Sequence, residues 1–475
     1  MSNKFCWQRQ VWVGLLLLLG VGVVWAAGTR TVQAAVPHLG YGANVSAWDT
    51  ARLTTMGFNW IKVFNPPGSD LPQNVLLRID AYHDDLNDVE AFGDFVQQLA
   101  QNNGAYIEAY EIGNEVNLDA SYGWAASPVA ADYTMILCEA YNRIKLVDPT
   151  AIVVSAGLAP TGRVQGNWNG HAGHNGLYQD EREYLRELLD AGGGACFDAL
   201  GYHPYGYSAD FDAIPDVGSA DPTQNCTNGF CFRGVEKIYT IMAQEYNLGQ
   251  KQVWPTEFGW IVQPPDYCLT DPTWSGRLWQ IVTPEKQATN LVGAYTYAEA
   301  HYPWMGAMFL FNLNFNENPG YPECEQMRYY GIQGRPAETA LAAMPKYPAV
   351  LLPTLYVPVR ELSFMLAAAT QPLTLTTGLL VGNNGLLGGT VFTATVDSAA
   401  AVVPTLSPIT GTLPPGASTF ITGTIMNLAR PLGIYTGTIT LSANPGTANT
   451  PVNIPITVWV VAEVHPLFIP LTMKN

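Results

Sequence analysis

The sequence predicts an α/β fold, a (β/α)8 barrel, over residues 35–345, followed by a smaller all-β sandwich. Two observations predict the barrel: short apolar or β-branched segments alternate with longer amphipathic segments, and eight such units in about 300 residues match the size of a closed barrel. A third observation predicts the sandwich. After residue 362 charged residues become rare, and Thr, Gly and Pro become frequent within short alternating segments, which is typical of antiparallel strands.

The eight predicted barrel strands are segments rich in apolar, aromatic and β-branched residues. They are residues 39–45, 58–64, 74–82, 105–113, 151–157, 197–203, 252–258 and 305–313. Amphipathic helical patterns separate most of them. Only NPPGSDLPQ lies between Phe64 and Asn74, and it is too short and too rich in proline for a crossover helix. We therefore expect the second helical element to be degenerate.

The ends of the chain and its middle suggest the domain boundaries. Lys4 and Arg9 precede an apolar run from Val11 to about Ala27, and small residues follow as far as Ala34, which predicts a signal peptide over residues 1–34. A retained anchor helix is the alternative, because the run is nearly long enough to span a bilayer. Residues 346–362 are predicted as a linker, 363–462 as the sandwich and 463–475 as a C-terminal tail. The protein is thus expected to be secreted or held at the cell surface.

Export would place the cysteines in an oxidising compartment, where disulfides persist. Cys6 precedes the apolar run, so six cysteines remain in the exported part. Six cysteines allow fifteen pairings, and buried thiols are the alternative for some of them. The expected pairs are Cys226 with Cys231, Cys268 with Cys324, and Cys138 with Cys196.

Charge and motif content exclude several classes of function. The net charge is −17, and the excess lies before residue 351 with no basic cluster. This argues against nucleic acid or anionic membranes as partners, and no stable membrane insertion is expected after processing. No CxxC pair or HExxH motif occurs, so neither a metal nor another cofactor is predicted. A metal-dependent hydrolase using His171 and His174 is the weaker alternative, since no third ligand stands at a recognisable spacing.

Acidic side chains follow two of the predicted strands. Glu115 follows the fourth strand in AYEIGNEVN, and Glu257 follows the seventh in WPTEFGW. Glu111 has the same parity as Glu115, so an extended chain would turn both side chains inward. Barrels carry their chemistry at the carboxyl ends of the strands. Two glutamates that meet over one barrel mouth are what glycosidic bond cleavage requires.

These motifs, together with GYHPYG after the sixth strand, resemble the clan A glycoside hydrolases, and within them the family five and family thirty-nine types. Further similarity lies in MGFNWIKVF and YYGIQGRPAETALAAM. The resemblance implies a TIM barrel, a carbohydrate substrate, Glu115 as general acid and base, and Glu257 as nucleophile. Retaining cleavage needs the first carboxyl protonated, the second ionised, and about 5 to 5.5 Å between them.

The resemblance also implies several substrate-binding residues. Asn114 would donate a hydrogen bond to the sugar 2-hydroxyl, unless it caps a following helix. His203 would lie under the acid and Tyr205 would hold Glu257, unless both are packed rim residues. Glu111 is expected to support the strand rather than to perform chemistry.

The sequence departs from the clan pattern at two places. Lys62 stands where an arginine often ends the second strand, and Arg78 on the third strand is the candidate to compensate. The eighth strand offers Phe311, followed by Asn312, or Phe315 in place of a tryptophan floor under the sugar. Four tryptophans lie in predicted loops, and each is expected either to line an extended cleft or to pack inside the protein. They are Trp124, Trp168, Trp260 and Trp274, of which Trp260 is predicted to bind substrate.

The sequence therefore predicts a secreted retaining glycosidase that acts on a poly- or oligosaccharide. The alternative is a carbohydrate-binding surface protein whose barrel has lost catalysis. The stretch from Leu413 to Asn444 resembles exported immunoglobulin-like modules found beside carbohydrate enzymes, which implies either a spacer or a glycan-binding domain.

Overall fold

The protein is described by a computed structural model. The structure describes residues 36–119, 124, 126–163, 166–171, 174–368, 374–397, 405–426 and 431–462. The predicted signal peptide, residues 1–34, and the predicted tail, residues 463–475, lie outside the described residues. In the described part of the chain, every helix is too short or too polar to cross a bilayer.

Eight parallel strands form the barrel, and each lies within one of the predicted segments. They are β1 (Gly40–Asn44), β2 (Trp60–Val63), β3 (Asn74–Ile79), β4 (Ala109–Ile112), β5 (Ile152–Ser155), β8 (Ala199–Tyr202), β9 (Gln252–Pro255) and β10 (Ala307–Leu310). A hairpin of β6 (Gly166–His171) and β7 (His174–Tyr178) follows β5. The sheet order is β10-β1-β2-β3-β4-β5-β8-β9, and isolated parallel bridges join β9 to the β10 segment. The predicted barrel is confirmed.

In the described residues, seven α-helices accompany the strands. They are α1 (Thr50–Thr55), α2 (Val89–Asn103), α3 (Ala130–Val147), α4 (Glu181–Asp190), α5 (Val235–Thr240), α6 (Pro284–His301) and α7 (Pro336–Ala343). Several begin at side chains that accept hydrogen bonds from the first helical turn, as Asp88, Asp180 and Thr283 do. Residues 64–73, all of which are described, contain no helix, so the predicted degenerate element is confirmed.

The barrel interior has two layers of different character. Strand alternation points every second side chain inward. Nearer the amino ends of the strands these side chains form an apolar cluster that includes Trp60, Leu76, Trp254 and Phe309. Gly42 makes room for it, since a Cβ there would lie 2.4 Å from the Phe309 ring. We call this cluster the apolar layer.

One step further along the strands the inward side chains are polar or charged. The polar layer consists of Asn44, Lys62, Glu111, His203 and Thr256, all buried. Three of them follow a residue of the apolar layer by two positions, since Lys62 follows Trp60, Glu111 follows Ala109 and Thr256 follows Trp254. The polar layer therefore lies at the carboxyl end of the barrel, beneath its mouth.

The C-terminal part is a sandwich of two β-sheets. One sheet has the order β11-β13-β17-β15 and the other β12-β19-β18-β14-β16. Pairing is antiparallel except between β12 and β19. The strands are β11 (Leu355–Tyr356), β12 (Leu362–Ala367), β13 (Thr374–Asn383), β14 (Thr390–Val396), β15 (Thr405–Ser407), β16 (Thr410–Leu413), β17 (Ser418–Met426), β18 (Gly433–Ala443) and β19 (Val452–Val461).

The segment predicted as a linker is packed rather than free. Ala349 and, from the β13–β14 loop, Leu386 join the apolar layer of the barrel, with Leu351 and Leu387 against them. The Ala349 amide donates a 2.8 Å hydrogen bond to the Leu39 carbonyl. Ala349 and Leu351 thus remove apolar surface from water at the amino end of the barrel.

Three disulfides join the cysteines as predicted. Cys138 bonds to Cys196, Cys226 to Cys231, and Cys268 to Cys324. The first ties α3 to the segment before β8, and the other two lie in the loops at the carboxyl end of the barrel. Cys268–Cys324 joins the loops after β9 and β10, and Cys226–Cys231 closes a short turn within the loop after β8.

Candidate active site

Glu115 lies at the mouth beyond β4, but it does not extend the strand. The strand ends at Ile112, and both Gly113 and Glu115 have positive φ, 81° and 45°. The expectation of an extended chain through Glu115 was wrong, because this backbone turns over the barrel. The Glu115 amide donates to the Gly157 carbonyl at 3.0 Å, which holds the turn against the β5 loop. The Glu115 side chain keeps 16% of its surface exposed.

Glu257 follows β9 and is more deeply placed, with 9% of its side chain exposed. The Tyr205 hydroxyl donates to Glu257 Oε2 at 2.7 Å, and Lys62 Nζ lies 3.4 Å from Oε1. Burial by itself would raise the pKa of Glu257. Electrostatic interactions with His203 and Lys62 and the Tyr205 hydrogen bond outweigh burial and lower this pKa to about 2.

His203 connects the two carboxylates. Its Nδ1 lies 2.9 Å from Glu115 Oε1 and 3.8 Å from Glu257 Oε2. Those two oxygens are therefore at most 6.7 Å apart, the sum of 2.9 and 3.8 Å. His203 Nε2 lies 3.1 Å from Thr256 Oγ1. Gly157 allows this position, because a Cβ there would lie 2.1 Å from Nε2.

Below the mouth, Lys62 forms a fully buried ion pair. Lys62 Nζ lies 2.7 Å from Glu111 Oε2, and neither side chain is exposed. Nζ also donates to the Thr256 carbonyl at 3.2 Å. One ammonium therefore balances two carboxylates, Glu111 and Glu257. Lys62 and Glu111 were not predicted to pair. The signal for this pair was that each occupies an inward-facing position, Lys62 on β2 and Glu111 on β4.

Two predicted substrate-binding residues are buried and hydrogen-bonded within the protein. Trp260 is fully buried, and its Nε1 donates to the Ala209 carbonyl at 2.7 Å. Asn312 is also buried; its amide donates to the Met327 carbonyl and its Oδ1 accepts from the Phe315 amide. These side chains hold loops together and face no solvent, so their part in substrate binding stays a prediction.

Two of the other tryptophans in predicted loops are also buried. Trp124 and Trp274 are fully buried, and Trp274 Nε1 donates to the Cys324 carbonyl, so of the two expectations for these residues the packing one holds. The side chain of Trp168 lies outside the described residues. Large indoles remove much apolar surface from water, so burial is their usual place.

Asn114 and Phe311 remain at the mouth. Asn114 is half-buried next to Glu115, and no helix begins before Ala130 in the part of the following chain that is described, which removes the capping alternative. Phe311 is 8% exposed, and its ring lies 6.1 Å from that of Tyr205. The structure thus places Glu115, Glu257, His203 and Tyr205 in contact and brings Asn114 and Phe311 beside them.

The described residues offer no set of ligands for the weaker alternative, a metal-dependent hydrolase. Among them, no group of three or more His, Cys, Asp or Glu side chains has an arrangement that could hold a metal ion. His171 and His174 are paired at the end of the β6–β7 hairpin, and their side chains lie outside what is described.

Comparisons with known proteins give structural neighbours only. No family model matches the chain, and no curated protein matches it. One similar solved structure is an endo-β-1,3-glucanase from Sorangium cellulosum, with 14% sequence identity over 65% of this chain and 99% of that one and a TM-score of 0.43. A second is an endo-β-1,3-glucanase from Amycolatopsis mediterranei in complex with laminaritriose, with 15% identity over 65% of this chain and 100% of that one and a TM-score of 0.38. A third is an endo-β-1,4-mannanase from Thermotoga petrophila, with 11% identity over 91% of this chain and 99% of that one and a TM-score of 0.35. These neighbours are glycoside hydrolases, but at such identities and TM-scores the similarity carries no information on the substrate or mechanism of this chain.

Proposed function

We propose that this protein is a secreted retaining glycoside hydrolase that cleaves a poly- or oligosaccharide by double displacement. Glu257 is the nucleophile, and Glu115 is the general acid and base. The observation that carries this proposal is the pair of carboxyl groups from separate strands that approach the same nitrogen of His203 at the barrel mouth. The predicted signal peptide, residues 1–34, and the three disulfides support export.

The different surroundings of the two carboxyls support this division of roles. The lowered pKa keeps Glu257 ionised at every pH well above 2, as a nucleophile requires. Glu115 is more exposed and contacts neither Lys62 nor Tyr205 in any described hydrogen bond or ion pair. His203 Nδ1 can accept a hydrogen bond from protonated Glu115 or, when protonated itself, donate one to the carboxylate. The imidazole therefore suits both states that a general acid and base passes through.

The reaction proceeds in two balanced steps. In the first, a Glu257 oxygen attacks the anomeric carbon, the bond to the leaving oxygen breaks, and Glu115 gives that oxygen its proton. The product is a glycosyl ester of Glu257. In the second, Glu115 removes a proton from water, the water oxygen attacks the anomeric carbon, and the ester bond breaks. Two inversions at one carbon restore its configuration.

The carboxyl separation is compatible with retention. Retaining enzymes hold their carboxyl groups about 5 to 5.5 Å apart, and inverting enzymes about 6.5 to 9.5 Å apart. Glu115 Oε1 and Glu257 Oε2 are at most 6.7 Å apart, a bound that admits the retaining separation. The configuration of the product decides between the two stereochemical outcomes.

A binding protein that has lost catalysis is the alternative. It would have no need for a nucleophile held ionised by Lys62, Tyr205 and His203. Unpaired buried charges are costly, so this network favours an active site. The sandwich then serves as a stabilising domain whose loop covers the amino end of the barrel.

Two matched variants test the assignment. Glu257→Gln should abolish hydrolysis of every substrate, because no ester can form. Glu115→Gln should slow polysaccharide hydrolysis by about 10²–10⁴-fold but should largely spare the first step for an aryl glycoside, whose phenolate leaves without a proton. Product configuration, followed by proton NMR, should be retained. Inverted product, or hydrolysis surviving Glu257→Gln, would refute the mechanism.

A further inference from the structure

A cluster of aromatic rings extends from Glu257 along one side of the mouth. Tyr205 and Tyr207 follow β8, Phe230 lies later in the same loop, and Trp279 lies in the loop after β9. The Tyr205 and Tyr207 ring centroids are 6.4 Å apart, and those of Tyr207 and Trp279 are 5.4 Å apart with the planes 10° from parallel. We call these four residues the aromatic wall.

The outer part of the aromatic wall is held in place although it borders solvent. Phe230 packs 4.5 Å from Tyr207 and 5.5 Å from Trp279, centroid to centroid. It lies next to Cys231, whose disulfide to Cys226 closes that loop. Trp279 Nε1 donates to the Gly276 carbonyl at 2.9 Å, so the indole is both stacked and anchored.

Trp279 nevertheless keeps 43% of its surface exposed. The other tryptophans of the loop after β9, Trp260 and Trp274, are fully buried. A large aromatic residue fixed by stacking and still open to water offers a preformed surface for another flat apolar face. A pyranose ring has such a face, made of its C–H groups, and its hydroxyl groups stay in water when it stacks.

The aromatic wall is connected directly to the nucleophile. Tyr205 donates to Glu257, and the Trp279 centroid is at most 11.8 Å from the Tyr205 centroid, the sum of 6.4 and 5.4 Å. This upper bound keeps Trp279 within reach of a sugar unit joined to the one that Glu257 attacks.

We propose that Trp279, backed by Tyr207 and Phe230, is a binding subsite for a pyranose unit adjoining the one that is cleaved, so that the site selects extended chains over monosaccharide glycosides. The inference rests on the proposed function for the position of the cleaved sugar. The loss of Trp279 should then weaken the binding of chains without altering the chemistry at Glu257.

Binding is measured first, on the Glu257→Gln background, by affinity electrophoresis in soluble β-1,3-glucan, β-1,4-glucan, β-1,4-mannan and β-1,4-xylan. Trp279→Ala should weaken retention by the bound polysaccharide about tenfold, the size of one aromatic contact, and Trp279→Phe should restore most of it. Trp459→Ala is the matched control. Trp459 is equally exposed, at 42%, but lies on the sandwich, so its replacement should change nothing.

In the active enzyme, Trp279→Ala should lower kcat/KM for the polysaccharide about tenfold relative to kcat/KM for an aryl monosaccharide, with the change mainly in KM. Unchanged retention, equal losses in Trp279→Ala and Trp459→Ala, or no retention of any of the four polysaccharides would overturn the subsite. A protein that binds through Trp279 but hydrolyses nothing would instead refute the proposed function and leave the subsite supported.

Discussion

The two layers of the barrel interior differ in almost every respect although they lie two residues apart along the same strands. The apolar layer, with Trp60, Trp254 and Phe309, is covered by Leu386 from the sandwich. The polar layer above it holds Lys62 and Glu111, fully buried, and opens toward Glu115 and Glu257. The apolar layer removes hydrocarbon from water, whereas the polar layer buries charges that water would otherwise solvate.

The difference shows how one barrel separates stability from chemistry. Burial of apolar surface contributes about 25 cal/mol per Å² and tolerates exchange of similar volumes. A buried charge has no such tolerance, because each partner depends on the other. Substitutions in the apolar layer should therefore change stability alone, while substitutions in the polar layer should change activity as well.

Lys62→Met should have the largest effect, because it leaves Glu111 and Glu257 without their cation. We expect the free energy of unfolding to fall by about 3–5 kcal/mol and activity to fall sharply. Removing the positive charge also raises the pKa of Glu257, so the remaining activity should be lost at a higher pH on acidification. Urea denaturation and a pH–rate profile measure both effects.

The double variant Lys62→Met/Glu111→Gln is the control for that prediction. Neutral Gln leaves no unpaired charge at residue 111, so it should recover part of the stability but not the activity. A single variant as stable as the wild type would show that the ion pair is not the basis of the polar layer.

Phe309→Ala should have an effect of similar size on stability and none on chemistry. Truncation of a fully buried Phe costs about 3–5 kcal/mol, and Phe309 lies in the apolar layer beside Trp60 and Trp254. We expect a lower denaturation midpoint with unchanged kcat/KM at a temperature where the variant is folded. A fall in kcat/KM of the folded variant would show that the layers are coupled.

Leu386→Ala should cost about 2–5 kcal/mol, toward the lower end because this residue lies at the edge of the apolar layer. The loss arises although Leu386 belongs to the sandwich, because its side chain covers the barrel. Val391→Ala, at an exposed position of β14, is the control and should stay near the wild type. Equal stability of the two variants would show that the sandwich adds nothing to the barrel.

Tyr205→Phe should have the smallest effect, seen mainly in how activity and stability depend on acid pH. It removes one hydrogen bond to a charged group, worth about 1.5–3 kcal/mol. Because that bond lowers the pKa of Glu257, its loss raises the pKa, and activity at acid pH should decline at a higher pH than in the wild type. Ionised Glu257 stabilises the fold above its unfolded pKa, and this stabilisation disappears as the pH falls toward 2. An unchanged acid limb would show that Tyr205 does not act on Glu257.

The sequence determined the elements and their order. Alternating apolar and amphipathic segments predicted eight strands, because that signal is local. An even number of cysteines after a predicted signal peptide favoured disulfides, and the expected pairs were confirmed only by the fold. The motifs at the ends of the strands also placed Glu115, Glu257, His203 and Tyr205 at one barrel mouth, since parallel strands of a barrel all end on the same side.

Only the tertiary structure decided which side chains touch. Lys62 lies between Glu111 and Glu257 because β2 and β4 turn Lys62 and Glu111 inward side by side, and Glu257 reaches the same ammonium group from beyond the end of β9. Trp260 and Asn312 are buried, whereas Trp279 is exposed, because loop packing and not composition determines which ring faces water. Pairwise contacts of this kind depend on the closure of the barrel, and no single segment of the chain contains that information.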